Sequence, residues 1–278
     1  MDMSSSADTA SDPPRPVLSA ERQRWALAGA EDGSRRVPEE TAIAIVHDAS
    51  TTAVMMATPA DLEDFAVGFS LSESAIEGLD DIREIDILVQ DLGVEVRLWL
   101  TAARAGNLAS RRRRLAGPTG CGLCGIDSLA EAVRAPRVVG DDLKIAPASL
   151  LAAMEALGEH QPLGRETRAM HAAGLWTSDE GLLAVREDVG RHNALDKLIG
   201  ARVRAGATDA GRGVVLLTSR VSVEMVQKAA VLGSPILCAV SAPTAIAIRT
   251  AEQAGITLVA VARSDGFEVF SHPHRLGL

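Results

Sequence analysis

GVVLLTSRVSVEMVQKAAVLGSPILCAVSAPTAIAIRTAEQAGITLVAVA, residues 213 to 262, decides the fold. GVVLLT, PILCAVS and TLVAVA are short runs rich in Val, Ile and Leu, apolar at nearly every position. Such runs fit strands covered on both faces. Between them, SVEMVQKAAVLG and TAIAIRTAEQAG carry helical spacing and each ends in glycine, Gly233 and Gly255. Glycine just past the last helical residue is a common stop signal. Strand–helix alternation of this kind implies right-handed crossovers and a parallel sheet layered with helices. FEVFSHP, residues 267 to 273, reads as an edge strand closing that sheet.

Upstream, SLLAAMEALGEHQ (149 to 161) reads as a helix and LLAVREDVG (182 to 190) as a strand running into a turn. RHNALDKLIGARVRAG (191 to 206) reads as an amphipathic helix ended by glycine. The first half differs. TAIAIVHDAS (41 to 50) is a strand entering a turn. TPADLEDFAVGFSLSES (58 to 74) is a helix, with Thr58 as cap, Pro59 at the first helical position and acids in the first turn. IREIDILVQ and VEVRLWL alternate apolar and polar residues around QDLG, a β-hairpin pattern. Residues 101 to 126 hold an arginine run, Pro118 and five glycines, and read as a long loop. The expected organisation is a disordered tail over 1–37, an α+β part over 38–110, a mobile cysteine loop over 111–126 and a larger α/β domain over 127–278.

The 278 residues suffice to bury a core, and 47% of them are hydrophobic, so a folded globular chain is expected. Net charge is 28 − 37 = −9, which argues against general nucleic-acid binding. Aromatics are only 3%, too few for base-stacking platforms. The first residues, MDMSSSADTASDPPRP, lack the basic and apolar regions of a secretory signal. No apolar stretch reaches the ~18 residues of a membrane span. Three cysteines do not make a disulfide framework for a chain of this size, which points to reduced thiols in a cytoplasmic protein.

In an open parallel sheet, ligands bind outside the carboxyl ends of the strands. Those ends read TSRVS (218 to 222), SAPT (241 to 244) and ARSDG (262 to 266). Hydroxyls, free amides and the fixed charges of Arg220 and Arg263 favour a phosphate-bearing ligand. The competing reading is ordinary caps and surface turns. A second polar cluster, REDVGRHNALDK, crowds Asp188, Arg191, His192, Asn193, Asp196 and Lys197 around one turn. His192 has the chemistry of a ligand contact or an acid–base group. A capped helix with a solvated face explains the same pattern.

Cys121 and Cys124 form a CxxC in GPTGCGLCG, just after Arg111–Arg114. Structural zinc needs four ligands; the remaining cysteine, Cys238, sits inside an apolar strand, and His160 and His171 are available but form no paired motif. A thioredoxin-type site needs CxxC at a helix start after a strand, and the preceding segment is not strand-like. A nucleophilic thiolate in a mobile loop fits better, because arginines favour the thiolate and glycines let the backbone swing. Two incidental surface thiols are the remaining alternative. The arginine run itself favours the thiolate, docks an acidic partner or is simply solvated. A thiolate loop beside a nucleotide-like site suggests carriage of sulfur to a phosphorylated acceptor.

ATPADLEDFAVGFSLSE (57 to 73), GCGLCG (120 to 125), REDVGRHNALDKLIG (186 to 200), TSRVSVEMVQKAA (218 to 230) and FSHPHR (270 to 275) appear together and in order. With them the chain closely resembles the formate dehydrogenase accessory sulfurtransferase family over nearly everything after residue 37. The resemblance implies a C-terminal domain related to cytidine deaminases, a smaller N-terminal part and a homodimer. It implies persulfide sulfur taken from a cysteine desulfurase and handed to molybdenum bis-molybdopterin guanine dinucleotide, bound as substrate, which activates the formate dehydrogenase catalytic subunit. Cys121 matches the persulfide-bearing cysteine and Cys124 its partner. Val261 with Ala262, Arg263, Ser264, Asp265 and Gly266 matches the segment that contacts the guanine dinucleotide. Arg191, His192, Asn193, Ser219, Arg220, Ser222 and His272 are expected to add further cofactor contacts. The deaminase zinc signature, H-x-E with P-C-x-x-C, is absent from the sequence, so no resident metal and no zinc-water chemistry are expected. The stretch SRRVPEETAIAI departs from the family's usual entry before the first strand.

Overall fold

The computed structural model describes residues 12–106, 135–140, 142–206 and 213–278. Cys121, Cys124 and Arg111–Arg114 lie outside the described residues. The architecture is mixed α/β, with two sheets built around separate cores and a two-stranded ribbon at the start.

The larger sheet orders its strands β12 (Gly266–Val269), β11 (Thr257–Arg263), β10 (Ile236–Ala239), β9 (Val214–Leu217), β7 (His171–Thr177) and β8 (Gly181–Asp188). Its centre is β9 (Val214–Leu217), β10 (Ile236–Ala239) and β11 (Thr257–Arg263), with β10 parallel to both neighbours. Every residue of β9 and β10 is buried, because both faces are covered. Val215 and Leu217 point to one core and Val214 and Leu216 to the other, as the pleat demands. The first core is closed by α4 (Arg191–Arg204), α5 (Val223–Leu232) and α6 (Ala245–Ala254). The second is closed by α2 (Pro147–Glu159) and the last turn of the chain. Gly233 and Gly255 stop α5 and α6 in the left-handed conformation, and Thr244 caps α6 through Ala247 N.

The expected parallel sheet is confined to that central trio. β7 (His171–Thr177) runs antiparallel to β9, β8 (Gly181–Asp188) antiparallel to β7, and β12 (Gly266–Val269) is an antiparallel edge on β11. The short links joining β7 to β8 and β11 to β12 leave no room for a helical crossover, so these pairs form hairpins.

The smaller sheet orders β4-β3-β6-β5. It contains β3 (Thr41–His47), β4 (Ser50–Ala57), β5 (Ile82–Gln90) and β6 (Gly93–Leu100). α1 (Leu62–Ser72) lies on it and joins the two halves by packing on α4. A Cβ at Gly68 would stand 1.8 Å from Asp196 O, and one at Gly200 would stand 1.9 Å from Asp64 O. The helix backbones therefore touch, and only glycine allows it.

Two expectations fail here. Residues 17–37 are not a tail: β1 (Val17–Ala26) and β2 (Gly29–Pro38) form an antiparallel ribbon. Its faces are mostly exposed, so it needs no apolar period, and backbone pairing with a two-residue link defines it. Arg36 anchors it to Glu166 at 2.6 Å, and Arg35 donates to Thr167 O, both acceptors on α3 (Pro162–Thr167). Thr58 does not cap α1, whose N-cap is Asp61 with no side-chain capping bond. Thr58 is instead fully buried and tied to residues of the larger domain.

Candidate functional site

The carboxyl ends of β8, β9, β10 and β11 and the first residue of β7 share one edge of the larger sheet. That edge forms a ledge. At its β11 end, Val261 has φ 54, in the left-handed region, between the shifted registers of Ala260 and Arg263. A β-branched residue there is strained by about 1–3 kcal/mol, and such strain gathers at ligand sites. Val261 N donates to Ser241 O at 3.5 Å. Arg263 is exposed, and its guanidinium donates to Val240 O and Ala262 O, which stiffens the turn Val261, Ala262, Arg263, Ser264, Asp265, Gly266. Next along, Val221 bridges to Pro243, lacing the segments after β9 and β10 together. Ser219 is buried and donates to Arg220 O, while the Arg220 side chain is exposed.

At the start of α5, His192 Nε2 lies 3.1 Å from Glu224 Oε2 and 3.4 Å from Ser222 Oγ. Ser222 donates its proton to Glu224 at 2.8 Å. This is not a nucleophile–base pair, because the hydroxyl proton is committed to the carboxylate. Burial pulls the His192 pKa down, Arg191 adds to this and Glu224 opposes it. Glu224 itself is held below its ordinary value: burial opposes this, but the bond from Ser222 and the nearby His192 outweigh it.

The turn carrying Arg191 and His192 is held from below. Asp188 Oδ2 accepts from Lys197 Nζ at 2.6 Å and from Thr58 N at 3.0 Å. Asp188 Oδ1 accepts from Gly190 N at 2.8 Å and from Asn193 Nδ2 at 3.0 Å. Lys197 Nζ also donates to Thr58 O, and Asn193 Nδ2 also to Met56 O. Nearby, Asp196 accepts from Lys228 at 2.7 Å and from Ser72 at 2.7 Å. Asn193, Asp196 and Lys197 are thus buried and bonded within the protein, which corrects the picture of a solvated face.

Most of the residues singled out in the sequence come together on this ledge. His272 does not. Its carbonyl accepts from Thr257 Oγ1 at the start of β11, and its Nε2 lies 3.0 Å from Glu252 O. Six residues of strand, about 20 Å, separate that end from Arg263. Cys238 lies in β10 with no exposure, and burial pushes its thiol up to about 12. Among the described residues no group of three His, Cys, Asp or Glu stands ready to hold a metal ion.

Sequence reading weighed His171 only as an unpaired zinc ligand and did not place it at this edge. It opens β7, and its neighbour Ala172 donates to Thr218 Oγ1 at 2.8 Å and accepts from Thr218 N. That pins His171 beside the end of β9 and opposite Asp188. Burial pulls its pKa down, helped by Arg191 and opposed by Asp188.

The FdhD/NarQ family profile matches residues 38–277. The chain is 54% identical over 245 residues to "Sulfur carrier protein FdhD" of Agrobacterium fabrum, covering 88% of this chain and 90% of that one. It is 49% identical over 251 residues to the protein of the same name in Brucella abortus, covering 90% and 93%. A crystal structure from Desulfotalea psychrophila, described as a candidate formate dehydrogenase accessory protein, superposes with a TM-score of 0.71 at 26% identity. That match covers 94% of this chain and 99% of the other. The chain belongs to the FdhD/NarQ family.

Proposed function

We propose that the protein is a sulfurtransferase for formate dehydrogenase maturation: it takes persulfide sulfur from a cysteine desulfurase and passes it to molybdenum bis-molybdopterin guanine dinucleotide bound as substrate. The observation that carries this is the ledge itself, where Arg263, Arg220, Ser222 and Arg191 line one sheet edge suited to a phosphate-bearing ligand. The names of the similar proteins supply the sulfur-carrier half of the reading. In this reading the larger domain is of the cytidine-deaminase type, the working unit is a homodimer and the compartment is the cytoplasm. No described helix is long and apolar enough to cross a membrane.

The first step joins the Cys121 thiolate to the outer sulfur of the donor persulfide. The donor's S–S bond breaks and the desulfurase thiolate leaves. In the second step the Cys124 thiol attacks the inner sulfur of Cys121–S–SH. A Cys121–Cys124 disulfide forms and hydrosulfide is released to the metal. The two electrons that reduce the sulfane sulfur come from the cysteine pair. The ledge residues Val261, Ala262, Arg263, Ser264, Asp265, Gly266, Arg191, His192, Asn193, Ser219, Arg220 and Ser222 wall the cofactor site, with Asn193 acting from beneath. His272 is left out, because it lies at the other end of β11.

The test is reconstitution of formate dehydrogenase carrying unsulfurated cofactor, with desulfurase and cysteine. Activation by wild type and none by Cys121→Ala supports transfer. Equal activation by both favours a cofactor-binding chaperone that uses its cysteines only for docking.

A further inference from the structure

The Val189 amide, one step before the turn that presents Arg191 and His192, is held by a residue 131 positions earlier. Thr58 Oγ1 accepts from Val189 N at 3.1 Å. Thr58 stands between β4 and α1 in the smaller half and is fully buried. Its backbone reaches the same turn. Thr58 N donates to Asp188 Oδ2 at 3.0 Å, and Thr58 O accepts from Lys197 Nζ at 2.9 Å. Bonds from one residue therefore land on either side of Arg191 and His192. The hydroxyl proton goes to Met170 Sδ at 4.0 Å, a weak acceptor, and the oxygen serves Val189.

The turn needs this outside support. Gly190 is the N-cap of α4 and has no side chain to close the helix start. A Cβ there would stand 2.7 Å from Asn193 Nδ2, so a capping residue would push Asn193 off Asp188. Asp188 Oδ1 fixes Gly190 N from one side, and Thr58 fixes Val189 N from the other. Pro59 prepares Thr58 for this role: a residue before proline is kept out of the helical region, so Thr58 does not join α1. Threonine supplies what the place requires, an acceptor beside a methyl group in a dry site, because a buried amide left without a partner is costly. Any shift of the turn registers on His192, whose Nε2 sits 3.1 Å from Glu224 Oε2 on α5.

We infer that Thr58 is a positioning residue: through Val189 N its hydroxyl sets where the turn holds Arg191 and His192, so the smaller half shapes the ledge without touching what binds there. The ligand part of this inference rests on the cofactor reading of the ledge. Thr58→Val keeps the shape and both backbone bonds and strands the Val189 amide. Thr58→Ser keeps the hydroxyl and loses the methyl.

The test compares the full chain as wild type, Thr58→Val and Thr58→Ser. Imidazole proton resonances of His192, assigned with His192→Gln, report the turn, and calorimetric titration with GDP reports the ledge. Thr58→Val is expected to displace the His192 resonances and to weaken GDP about tenfold, the scale of one lost hydrogen bond. Thr58→Ser is expected to restore both. A purely structural role would lower the melting temperature and move neither. Unmoved His192 resonances in Thr58→Val, or GDP affinity within about twofold of wild type, overturn the inference and leave the cofactor reading standing. So does Thr58→Ser that behaves like Thr58→Val. Wild type that does not bind GDP overturns the cofactor reading, and the His192 resonances alone then decide whether Thr58 sets the turn. Should Thr58→Val not fold, amide exchange on the wild type decides. A Val189 N–H protected like those of β8 supports the inference, and one that exchanges as fast as an unbonded amide refutes it.

Discussion

Lys197 Nζ stands 2.6 Å from Asp188 Oδ2, and neither side chain has any exposure to water. The pair does more than neutralise itself. Both partners also bond the backbone of Thr58, ahead of α1, so one ion pair ties the smaller half of the protein to the turn that presents Arg191 and His192. Removing one partner strands the other in a dry site. Lys197→Met is expected to lower stability by about 3–5 kcal/mol, read from urea unfolding. A loss under about 1 kcal/mol would mean that the pair is not buried as described.

The contact of α1 with α4 makes a sharper prediction. A methyl at Gly68 meets a carbonyl at 1.8 Å, and neither helix backbone has room to retreat without opening the cores on both sides. Gly68→Ala and Gly200→Ala are each expected to cost about 3 kcal/mol or more. Gly78→Ala, where the added methyl meets nothing within 4 Å, is the control and is expected to change stability little.

Stability should also depend on pH in a definite direction. His171 and His192 both hold protons more weakly in the fold than at the ordinary value of 6.5. Just below pH 6.5 the unfolded chain therefore binds more protons, and stability falls as pH drops. Well above 6.5, where the unfolded chain also leaves them neutral, the slope from these two groups fades. Glu187, held above the ordinary carboxyl value of 4.5 by burial, works in the opposite sense at lower pH. Melting temperature from pH 5.5 to 7.5 checks this, and the slope should shrink in His171→Gln and His192→Gln. An unchanged slope in both variants would contradict the assignment.

Cys238 is expected to stay unmodified by iodoacetamide in the native protein at pH 8 and to react on denaturation. Its burial and raised pKa both keep the thiolate away. Native labelling mapped to Cys238 would show that β10 opens far more readily than its packing allows.

The central strands of the larger sheet were legible because β9 and β10 are buried at every position, which leaves unbroken apolar runs in the sequence. The β1–β2 ribbon was not, since its strands bury almost nothing and Trp25 stays 75% exposed. No turn signal such as Asn-Gly marks Leu27–Ala28 either. Thr58 misled for a local reason: Thr-Pro before an acidic turn looks like a helix start, and its partner Asp188 lies 130 residues away. The strand-end residues were singled out because a general rule names where ligands bind in such sheets, and the parallel order of β9, β10 and β11 puts their carboxyl ends on one edge. The place of His171 was not legible because only the antiparallel return of β7 beside β9 brings it to that edge, and no local pattern announces that pairing. His272 misled because a motif shared in sequence says nothing of which end of a strand it occupies.

The central claim is that Cys121 carries sulfur, and intact-protein mass spectrometry after incubation with a cysteine desulfurase and cysteine tests it most directly. Wild type is expected to gain about one sulfur atom in mass, lost on reduction and absent in Cys121→Ala. No gain on wild type, with the desulfurase shown to be active in parallel, would contradict the account. It would leave a cofactor-binding protein without sulfur chemistry of its own.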